Sequence, residues 1–278
     1  FEGIKVAIDC ANGASYKAAS ISLLNLKARL CIIHNEPDGT NINQNCGSTH
    51  MEDLCSFVQE NNADVGFAFD GDADRCLAVD EKGNLIDGDK ILAICGMAMK
   101  EAGILRNNTI VATVMSNMGL SVLGKQKGIQ IEQTSVGDRY VLERMIEKNY
   151  NLGGEQSGHV IFLDHNTTGD GILTAIQFLT VMKKTGKKAS ELAAMMETMP
   201  QVLVNAKVDN NKKNDYMKVI EIKEAIEGLN AKFNGEGRVL IRTSGTEPLI
   251  RVMIEGKDLE IMKKEAQKLA ELISEKLK

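Results

Sequence analysis

Apolar segments of strand length alternate with segments of helix length along most of this 278-residue chain. The strand segments are short and rich in β-branched residues, which favours strands. The predicted strands are Lys5–Asp9, Ala28–Ile33, Ala63–Phe69, Thr109–Val114, Ile129–Gln133 and Val160–Leu163. The predicted helices are Ser15–Leu26, Met51–Asn61, Asp89–Ala102, Met118–Lys127, Asp138–Lys148 and Asp170–Lys184. Alternation at this spacing predicts α/β units with mixed, mostly parallel sheets.

At roughly 100–200 residues per domain, the chain length suggests two or three domains, and two breaks divide the chain into three. A polar turn near Gly83–Asp87 precedes a long helix, and Pro200 marks the second break. After Pro200 the order becomes strand, helix, hairpin and a C-terminal helix over Lys257–Lys278, which predicts a small α+β domain. We therefore predict two consecutive three-layer α/β domains, residues 1–86 and 87–199, and an α+β domain, residues 200–278.

Composition and charge exclude several kinds of partner. The chain is 43% hydrophobic and 26% charged, with a net charge of −5 and no basic stripe, so we expect no nucleic-acid partner. No apolar run approaches the roughly 20 residues that cross a bilayer, so we expect no membrane partner. The six cysteines are scattered without a Cys-x-x-Cys pair, which is typical of a reduced, cytoplasmic protein.

A polar turn between two strand-like segments predicts a phosphate site in the last domain. The turn reads Arg242-Thr243-Ser244-Gly245-Thr246-Glu247-Pro248, and Arg251 follows in the next strand. The planar guanidinium of arginine binds phosphate through two hydrogen bonds, and a glycine lets backbone N–H groups approach an anion. An ordinary surface hairpin is the alternative for this segment taken alone.

Three aspartates at alternating positions, Asp70, Asp72 and Asp74, follow the third predicted strand. Mg²⁺ and Ca²⁺ both prefer oxygen ligands, and three close carboxylates repel one another unless a cation joins them. A calcium EF-hand would have Glu81 at its last ligand position, but Arg75 stands where that loop needs glycine. The pattern predicts a divalent cation site, with a charged surface turn as the alternative.

The glycine-rich segment Gly153-Gly154-Glu155-Gln156-Ser157-Gly158-His159 exposes several hydrogen-bonding side chains within a few positions. Such a density of donors and acceptors suits the hydroxyls of a sugar. His159 could act as a general acid or base, because its charge changes near neutral pH, or only make a structural hydrogen bond. A glycine-rich hairpin without a ligand is equally compatible with these residues.

A long polar loop after the second predicted strand contains Cys46 and His50. Loops of such length in compact domains are often functional. The two residues could form a nucleophile–base pair, but the sequence supplies no third member, so we do not favour a catalytic cysteine.

Together these loops resemble those of the α-D-phosphohexomutase superfamily. The metal, sugar and phosphate loops occur in that family's order and in separate domains, and the resemblance covers essentially the whole chain. Other segments are similar to the branch of the family that acts on glucosamine phosphates. These are Asn41-Ile42-Asn43, Cys46-Gly47-Ser48-Thr49-His50, Val136-Gly137-Asp138-Arg139-Tyr140-Val141 and Gln156.

The resemblance implies a reaction and a role for each loop. Family members interconvert hexose 6-phosphates and hexose 1-phosphates, here glucosamine 6-phosphate and glucosamine 1-phosphate, through a phosphoserine and a bisphosphorylated intermediate. By resemblance, Asp70, Asp72 and Asp74 bind one Mg²⁺ ion, and Arg75 and His159 are catalytic. The implied substrate ligands are Asp138, Arg139, Glu155, Ser157 and His159. The implied phosphate ligands are Arg242, Ser244, Gly245, Thr246 and Arg251. The expected partners are a sugar phosphate and a bisphosphorylated hexosamine activator, and a homodimer is compatible with this assignment.

The phosphoserine of the family has no counterpart in these residues. Family members carry a Ser-His-Asn-Pro loop in an N-terminal domain that precedes the strand at Lys5–Asp9, and this chain starts with Phe1. We therefore expect the last three domains of a four-domain mutase, slightly trimmed at the start and inactive without the missing N-terminal domain. Two alternatives stay open, which are a phosphomannomutase/phosphoglucomutase and a non-catalytic module that binds sugar phosphates.

Overall fold

The computed structural model describes residues 1–245 and 247–278. They divide into two units, Phe1–Glu197 and Thr198–Lys278. The boundary predicted between residues 86 and 87 falls within the first unit and stays a prediction. No helix in the described ranges is long and apolar enough to span a membrane.

The first sheet of the first unit has five strands in the order β2-β1-β3-β4-β5. Strand β1 pairs in parallel with β2 and β3, whereas β3 with β4 and β4 with β5 are antiparallel. The elements are β1 (Lys5–Asp9), α1 (Ser15–Asn25), β2 (Arg29–Ile33), α2 (Glu52–Glu60), β3 (Val65–Phe69), β4 (Cys76–Asp80) and β5 (Leu85–Ile86), with a 3-10 turn at Gly47–Thr49.

The second sheet has four strands in the order β7-β6-β8-β9, and only its β8–β9 pair is antiparallel. Its strands are β6 (Thr109–Thr113), β7 (Gln130–Thr134), β8 (Leu152–Gly154) and β9 (Val160–Phe162). The helices are α3 (Gly88–Glu101), α4 (Met118–Lys127), α5 (Asp138–Lys148), α6 (Gly171–Thr185) and α7 (Ala189–Ala193), with a 3-10 turn at Arg106–Asn108.

The second unit is a three-stranded antiparallel sheet, in the order β10-β12-β11, with two long helices. Its elements are β10 (Gln201–Lys207), a 3-10 helix (Lys213–Lys218), α8 (Ile220–Phe233), β11 (Gly237–Thr243), β12 (Leu249–Gly256) and α9 (Leu259–Lys276). Helix α9 buries one apolar stripe, Met262, Ala266, Leu269, Ala270 and Ile273, against the sheet. This spacing is that of one helical face.

Alternation along β1 explains how helices cover both faces of the first sheet. Val6 and Ile8 belong to a large core that also contains Phe67 and Phe178, whose rings meet edge to face with centroids 5.7 Å apart. Ala7 belongs to a separate core on the opposite face, with residues of α2. Successive side chains of a strand point to opposite faces, so a uniformly apolar strand serves both layers.

The predicted fold class is confirmed, since the chain has mixed α/β sheets and a small C-terminal sheet unit. Each predicted strand and helix of the first unit occurs, with ends that shift by a few residues. Strands β4, β5 and β8 were not among the predicted ones. Two of the three residues of β8 are glycines, which have low strand propensity, and only pairing with β6 and β9 makes this segment a strand.

Candidate active site

The loop after β3 brings three carboxylates together. Asp70, Asp72 and Asp74 each offer one oxygen, and these oxygens lie within 4.8 Å of one another. Ala73, with a φ of 63°, turns the chain back so that its N–H donates to the Asp70 carbonyl at 3.1 Å. Alternating acidic residues therefore converge because of one left-handed residue between them.

Two features of this cluster fit a divalent cation. Burial, together with the negative charges of Asp74 and Asp72, raises the pKa of Asp70 to about 6, although the Arg75 N–H donates to it. Within the described ranges, Asp74 Oδ1 is buried without a hydrogen-bond partner, and the nearest guanidinium atom, Arg75 Nε, is 3.9 Å away. A buried carboxylate oxygen without a donor is costly, and a bound cation would remove that cost.

His159 holds Asp74 from the other side of the loop. Its Nε2 accepts the Gly169 N–H at 3.0 Å, so this nitrogen carries no proton. Its Nδ1 therefore carries the proton and donates to Asp74 Oδ2 at 3.1 Å. Because the ring is only 3% exposed and both nitrogens are engaged, these bonds favour an orienting role for His159 over proton transfer to a sugar.

The predicted sugar loop forms the β8–β9 hairpin and is joined directly to the metal loop. Arg75 and His159 form an antiparallel bridge, and the Cys76 N–H donates to the Gly158 carbonyl at 3.0 Å. Gly158 has a φ of +95°, and a Cβ there would lie 2.5 Å from the Cys76 carbonyl oxygen. This close approach requires glycine, and it makes the two loops one assembly.

The segment before α5 joins the same assembly through Glu155. Its Oε1 accepts the Gly137 N–H at 3.0 Å, and Asp138 Oδ2 lies 4.0 Å from His159 Nε2. Arg139 instead points outward, with its side chain 81% exposed and its Nε 2.7 Å from Glu143 Oε1. The structure thus brings Asp138, Glu155 and His159 together and leaves Arg139 outside that group; Ser157 is exposed on the hairpin.

The turn before α6 supports this site, although no sequence pattern pointed to it. The Gly171 N–H donates to the Ala73 carbonyl at 2.9 Å, and a Cβ on Gly169 would lie 2.5 Å from the His159 ring. Asp170 caps α6 by accepting the Leu173 N–H at 2.9 Å. Two glycines around a capping aspartate are a recognisable helix start, but nothing local indicates that they face the metal loop.

The predicted phosphate turn of the second unit connects β11 and β12. Arg242 and Arg251 are direct cross-strand partners and both are exposed. Arg251 Nη2 lies 3.7 Å from Glu247 Oε2, and this loose ion pair offsets part of the arginine charge. Two like charges opposite each other destabilise a strand pair, so this arrangement suits an anion that bridges them.

Hydrogen bonds within the turn and one from Lys213 stabilise its conformation. No sequence pattern linked Lys213 to this site. Ser244 is buried, its Oγ accepts the Glu247 N–H at 3.1 Å, and Lys213 Nζ donates to its carbonyl at 2.6 Å. A Cβ added to Gly245 would have no atom of the described residues within 4 Å, so the turn is open there. The predicted phosphate ligand Thr246 lies outside the described residues.

Three family models match the chain and define its class. They are the phosphoglucomutase/phosphomannomutase α/β/α domain II over residues 2–83, α/β/α domain III over residues 87–199 and the C-terminal domain over residues 203–272. The chain belongs to the phosphoglucomutase/phosphomannomutase family, as the resemblance of its loops predicted.

Two curated relatives within this family are phosphoglucosamine mutases. The phosphoglucosamine mutase of Ruminiclostridium cellulolyticum is 64% identical over 277 residues, which cover 100% of this chain. The phosphoglucosamine mutase of Acetivibrio thermocellus is 60% identical over 99% of it. This chain spans 62% of the length of each of these two relatives.

Solved structures share the fold at low identity. N-acetylphosphoglucosamine mutase of Aspergillus fumigatus, in complex with GlcNAc-6P and magnesium, matches with a TM-score of 0.77 and 20% identity over 100% of this chain and 62% of its own. A Burkholderia thailandensis phosphoglucomutase/phosphomannomutase family protein matches with a TM-score of 0.78 and 20% identity over 99% of this chain and 62% of its own.

Proposed function

We propose that this chain supplies the metal, sugar and phosphate sites of a phosphoglucosamine mutase, which interconverts glucosamine 6-phosphate and glucosamine 1-phosphate. The observation that carries this proposal is the joined metal loop and sugar hairpin, in which three carboxylates meet beside hydrogen-bonding groups for a sugar. The identity of 64% to a phosphoglucosamine mutase supports the choice of sugar.

The metal loop serves the reacting phosphoryl group. One Mg²⁺ ion on Asp70, Asp72 and Asp74 would neutralise charge on that group during in-line transfer. Arg75 Nε lies 3.8 Å from Asp70 Oδ2 and 3.9 Å from Asp74 Oδ1, and its side chain is 44% exposed. This position leaves the guanidinium able to turn toward a phosphoryl oxygen, so we assign it the role of steadying the reacting end.

The hairpin and the α5 loop serve the sugar. Glu155 and Asp138 accept hydrogen bonds from hydroxyl or amino groups of glucosamine, and Ser157 adds an exposed hydroxyl. His159 is the positioning residue for Asp74, because its tautomer is set by the Gly169 N–H. Arg139 binds substrate only if it leaves Glu143, which a phosphate group would favour by competing for the guanidinium.

The turn in the second unit holds the phosphate that does not react. Arg242 and Arg251 contribute paired N–H donors, and Ser244, Gly245 and Thr246 contribute hydroxyl and backbone donors. Firm binding of this phosphate leaves the other end of the sugar positioned for transfer.

The phosphoryl donor is a phosphoserine, which the family resemblance places in a domain ahead of β1. The serine gives its phosphoryl group to the sugar phosphate, and the resulting bisphosphorylated hexosamine returns its other phosphoryl group to the serine. We propose that the chain binds sugar phosphate by itself and requires that serine for turnover.

Calorimetry and ³¹P NMR test this function together. The chain should bind glucosamine 6-phosphate in the presence of Mg²⁺, more tightly than glucose 6-phosphate or mannose 6-phosphate, and should not bind unphosphorylated glucosamine. Preference for glucose or mannose phosphates would favour the phosphomannomutase/phosphoglucomutase alternative, and absence of binding would overturn the proposal.

Turnover separates an enzyme from a binding module. The chain alone and the chain joined to the part of the Ruminiclostridium relative that it does not cover are given glucosamine 6-phosphate, Mg²⁺ and glucosamine 1,6-bisphosphate. Glucosamine 1-phosphate formed only by the joined protein supports a mutase. Binding without turnover in either protein supports a sugar-phosphate binding module instead.

A further inference from the structure

A second group of metal-ligating side chains lies in the first unit, apart from the three aspartates. Asp9 ends β1, His34 follows β2, and Cys46 precedes the 3-10 turn Gly47–Thr49. One ligand atom from each residue lies within 4.8 Å of the other two. The nucleophile–base pair considered from the sequence was Cys46 with His50, whereas the structure groups Cys46 with Asp9 and His34, and His50 Nδ1 contacts Thr49 Oγ1 at 3.1 Å.

The carboxylate of this group is fully buried and rigidly held. Asp9 Oδ1 accepts the Ala11 N–H at 2.8 Å, and Oδ2 accepts the Gly47 N–H at 2.9 Å. His34 Nδ1 lies 2.9 Å from the same Oδ2. Asp9 Oδ2 and His34 Nδ1 are thus close enough to bind a single ion in place of their hydrogen bond.

Cys46 and the outer ring nitrogen of His34 have long contacts. Cys46 is buried, and its Sγ has a long contact of 3.9 Å from Asn12 Nδ2. His34 Nε2 lies 3.4 Å from Asp53 Oδ2, and the Asp53 side chain is 65% exposed. Asp53 can therefore accept the Nε2 proton and orient the ring, as carboxylates do for metal-binding histidines.

The surrounding charges favour a cation. A ligand oxygen of Asp9 lies within 4.8 Å of the Cys46 sulfur, and Asp53 Oδ2 lies 3.4 Å from His34 Nε2. Two carboxylates this close attract a positive ion, and an ion would stabilise the Cys46 thiolate.

The donor set distinguishes this group from the magnesium loop. Zn²⁺ accepts imidazole nitrogen, thiolate sulfur and carboxylate oxygen at about 2.0–2.3 Å, whereas Mg²⁺ takes oxygen ligands. Ligand atoms within 4.8 Å of one another can reach one such ion with small side-chain movements.

We propose that Asp9 Oδ2, His34 Nδ1 and Cys46 Sγ bind Zn²⁺, with water in the fourth position. On binding, Cys46 releases its proton to solvent and its sulfur coordinates the ion, while His34 carries its single proton on Nε2, facing Asp53. Gly47, the residue after Cys46, packs tightly against the end of β3, because a Cβ on Gly47 would lie only 2.4 Å from the Phe69 carbonyl oxygen. An ion bound to Cys46 would therefore stabilise the strand end from which the three aspartates follow.

Titration of the tag-free chain with Zn²⁺ in excess Mg²⁺ tests this site. One Zn²⁺ per chain should bind with a Kd in the micromolar range or below. Cys46→Ser and His34→Gln should each weaken binding at least about tenfold, and the matched control Cys55→Ser should leave it unchanged. Equal affinity in the wild type, Cys46→Ser and His34→Gln proteins would overturn the proposal.

Co²⁺ provides a readout that needs no variant. With one Co²⁺ bound per chain in excess Mg²⁺, thiolate ligation should give a sulfur-to-cobalt charge-transfer band in the near ultraviolet. Absence of the band at full occupancy shows that Cys46 is not a ligand and overturns the site, whether or not the variants fold.

Discussion

Two candidate sites hold their polar groups in different ways. One is the metal–sugar assembly of the first unit, which consists of the loop with Asp70, Asp72 and Asp74, the β8–β9 hairpin and the segment before α5. The other is the phosphate turn between β11 and β12 in the second unit. In the first, side chains are held by groups from other loops, as Asp74 is by His159 and His159 by the Gly169 N–H. In the second, Arg242 and Arg251 extend from neighbouring strands into solvent, and the turn is closed by local bonds such as Glu247 N–H to Ser244 Oγ.

This difference predicts two kinds of response to substitution. A side chain in the metal–sugar assembly contributes to ligand binding and to folding at once, because its neighbours lose a partner with it. An exposed arginine in the phosphate turn contributes to binding alone. The predictions below test that contrast, from the largest expected effect to the smallest.

Asp74→Asn should lower Mg²⁺ affinity at least about 100-fold, more than the 10–100-fold typical of an outer partner of a metal ligand, because a ligand itself is lost. Isothermal titration calorimetry measures the change. Glu101→Gln removes the same charge from an exposed position of the same unit and should leave the affinity unaltered. Retained Mg²⁺ binding in Asp74→Asn would remove Asp74 from the metal site.

Arg242→Ala should weaken glucosamine 6-phosphate binding about 10–100-fold, since a hydrogen bond to a charged group contributes about 1.5–3 kcal/mol. The unfolding temperature should stay the same or rise slightly, because the side chain is exposed and its charge lies opposite that of Arg251. Lys223→Ala, an equal loss of charge on α8, serves as control. A matching loss of affinity in Lys223→Ala would mean that general charge, not the turn, binds phosphate.

Gly169→Ala should destabilise the protein by about 1–3 kcal/mol, the usual cost of overpacking, because the new Cβ would lie 2.5 Å from the His159 ring. Displacement of the ring should also weaken Mg²⁺ binding through Asp74. Urea unfolding and metal titration measure the two effects. Lost stability with unchanged Mg²⁺ affinity would show that His159 does not position Asp74.

Asp70→Asn tests the pH dependence of the metal loop. Burial raises the pKa of Asp70 from 3.8 to about 6, so this group stabilises the folded protein below about pH 4, and that stability is lost as pH rises through about 6. Asparagine mimics the protonated form of Asp70, so the unfolding free energies of the variant and the wild type should be similar near pH 4. At pH 7 without divalent ions, the unfolding free energy of the variant should be higher by about 1–2 kcal/mol.

Urea unfolding at both pH values, with a chelator present, gives this comparison. A stability difference that is the same at pH 4 and pH 7 would show that the pKa of Asp70 is not raised in the folded protein.

Gly228→Ala should give the smallest effect, a gain in stability. Gly228 lies inside α8, and a Cβ added there would have no atom of the described residues within 4 Å. Alanine there should stabilise the second unit by about 0.5–1 kcal/mol, because glycine has poor helix propensity. Thermal unfolding measures it, and a destabilised variant would show that α8 packs more tightly at this position than the structure indicates.

The elements and the loops could be read from the sequence for local reasons. Apolar runs, turn residues and capping aspartates act over a few neighbouring positions, so strands such as Lys5–Asp9 and the start of α6 after Asp170 were predictable. Strand β8 was not, because its glycines give no local preference and one of its two partners, β6, lies far earlier in the chain.

The sequence by itself determined where the candidate site residues stand, namely the three aspartates, the glycine-rich hairpin and the arginine turn between predicted elements. Tertiary structure alone decided their partners. His159 meets Asp74 from 85 positions away, and Cys46 meets His34 rather than His50. Such pairings depend on how helices pack the sheets and bring strand ends together, and no preference of the residues themselves encodes those distances.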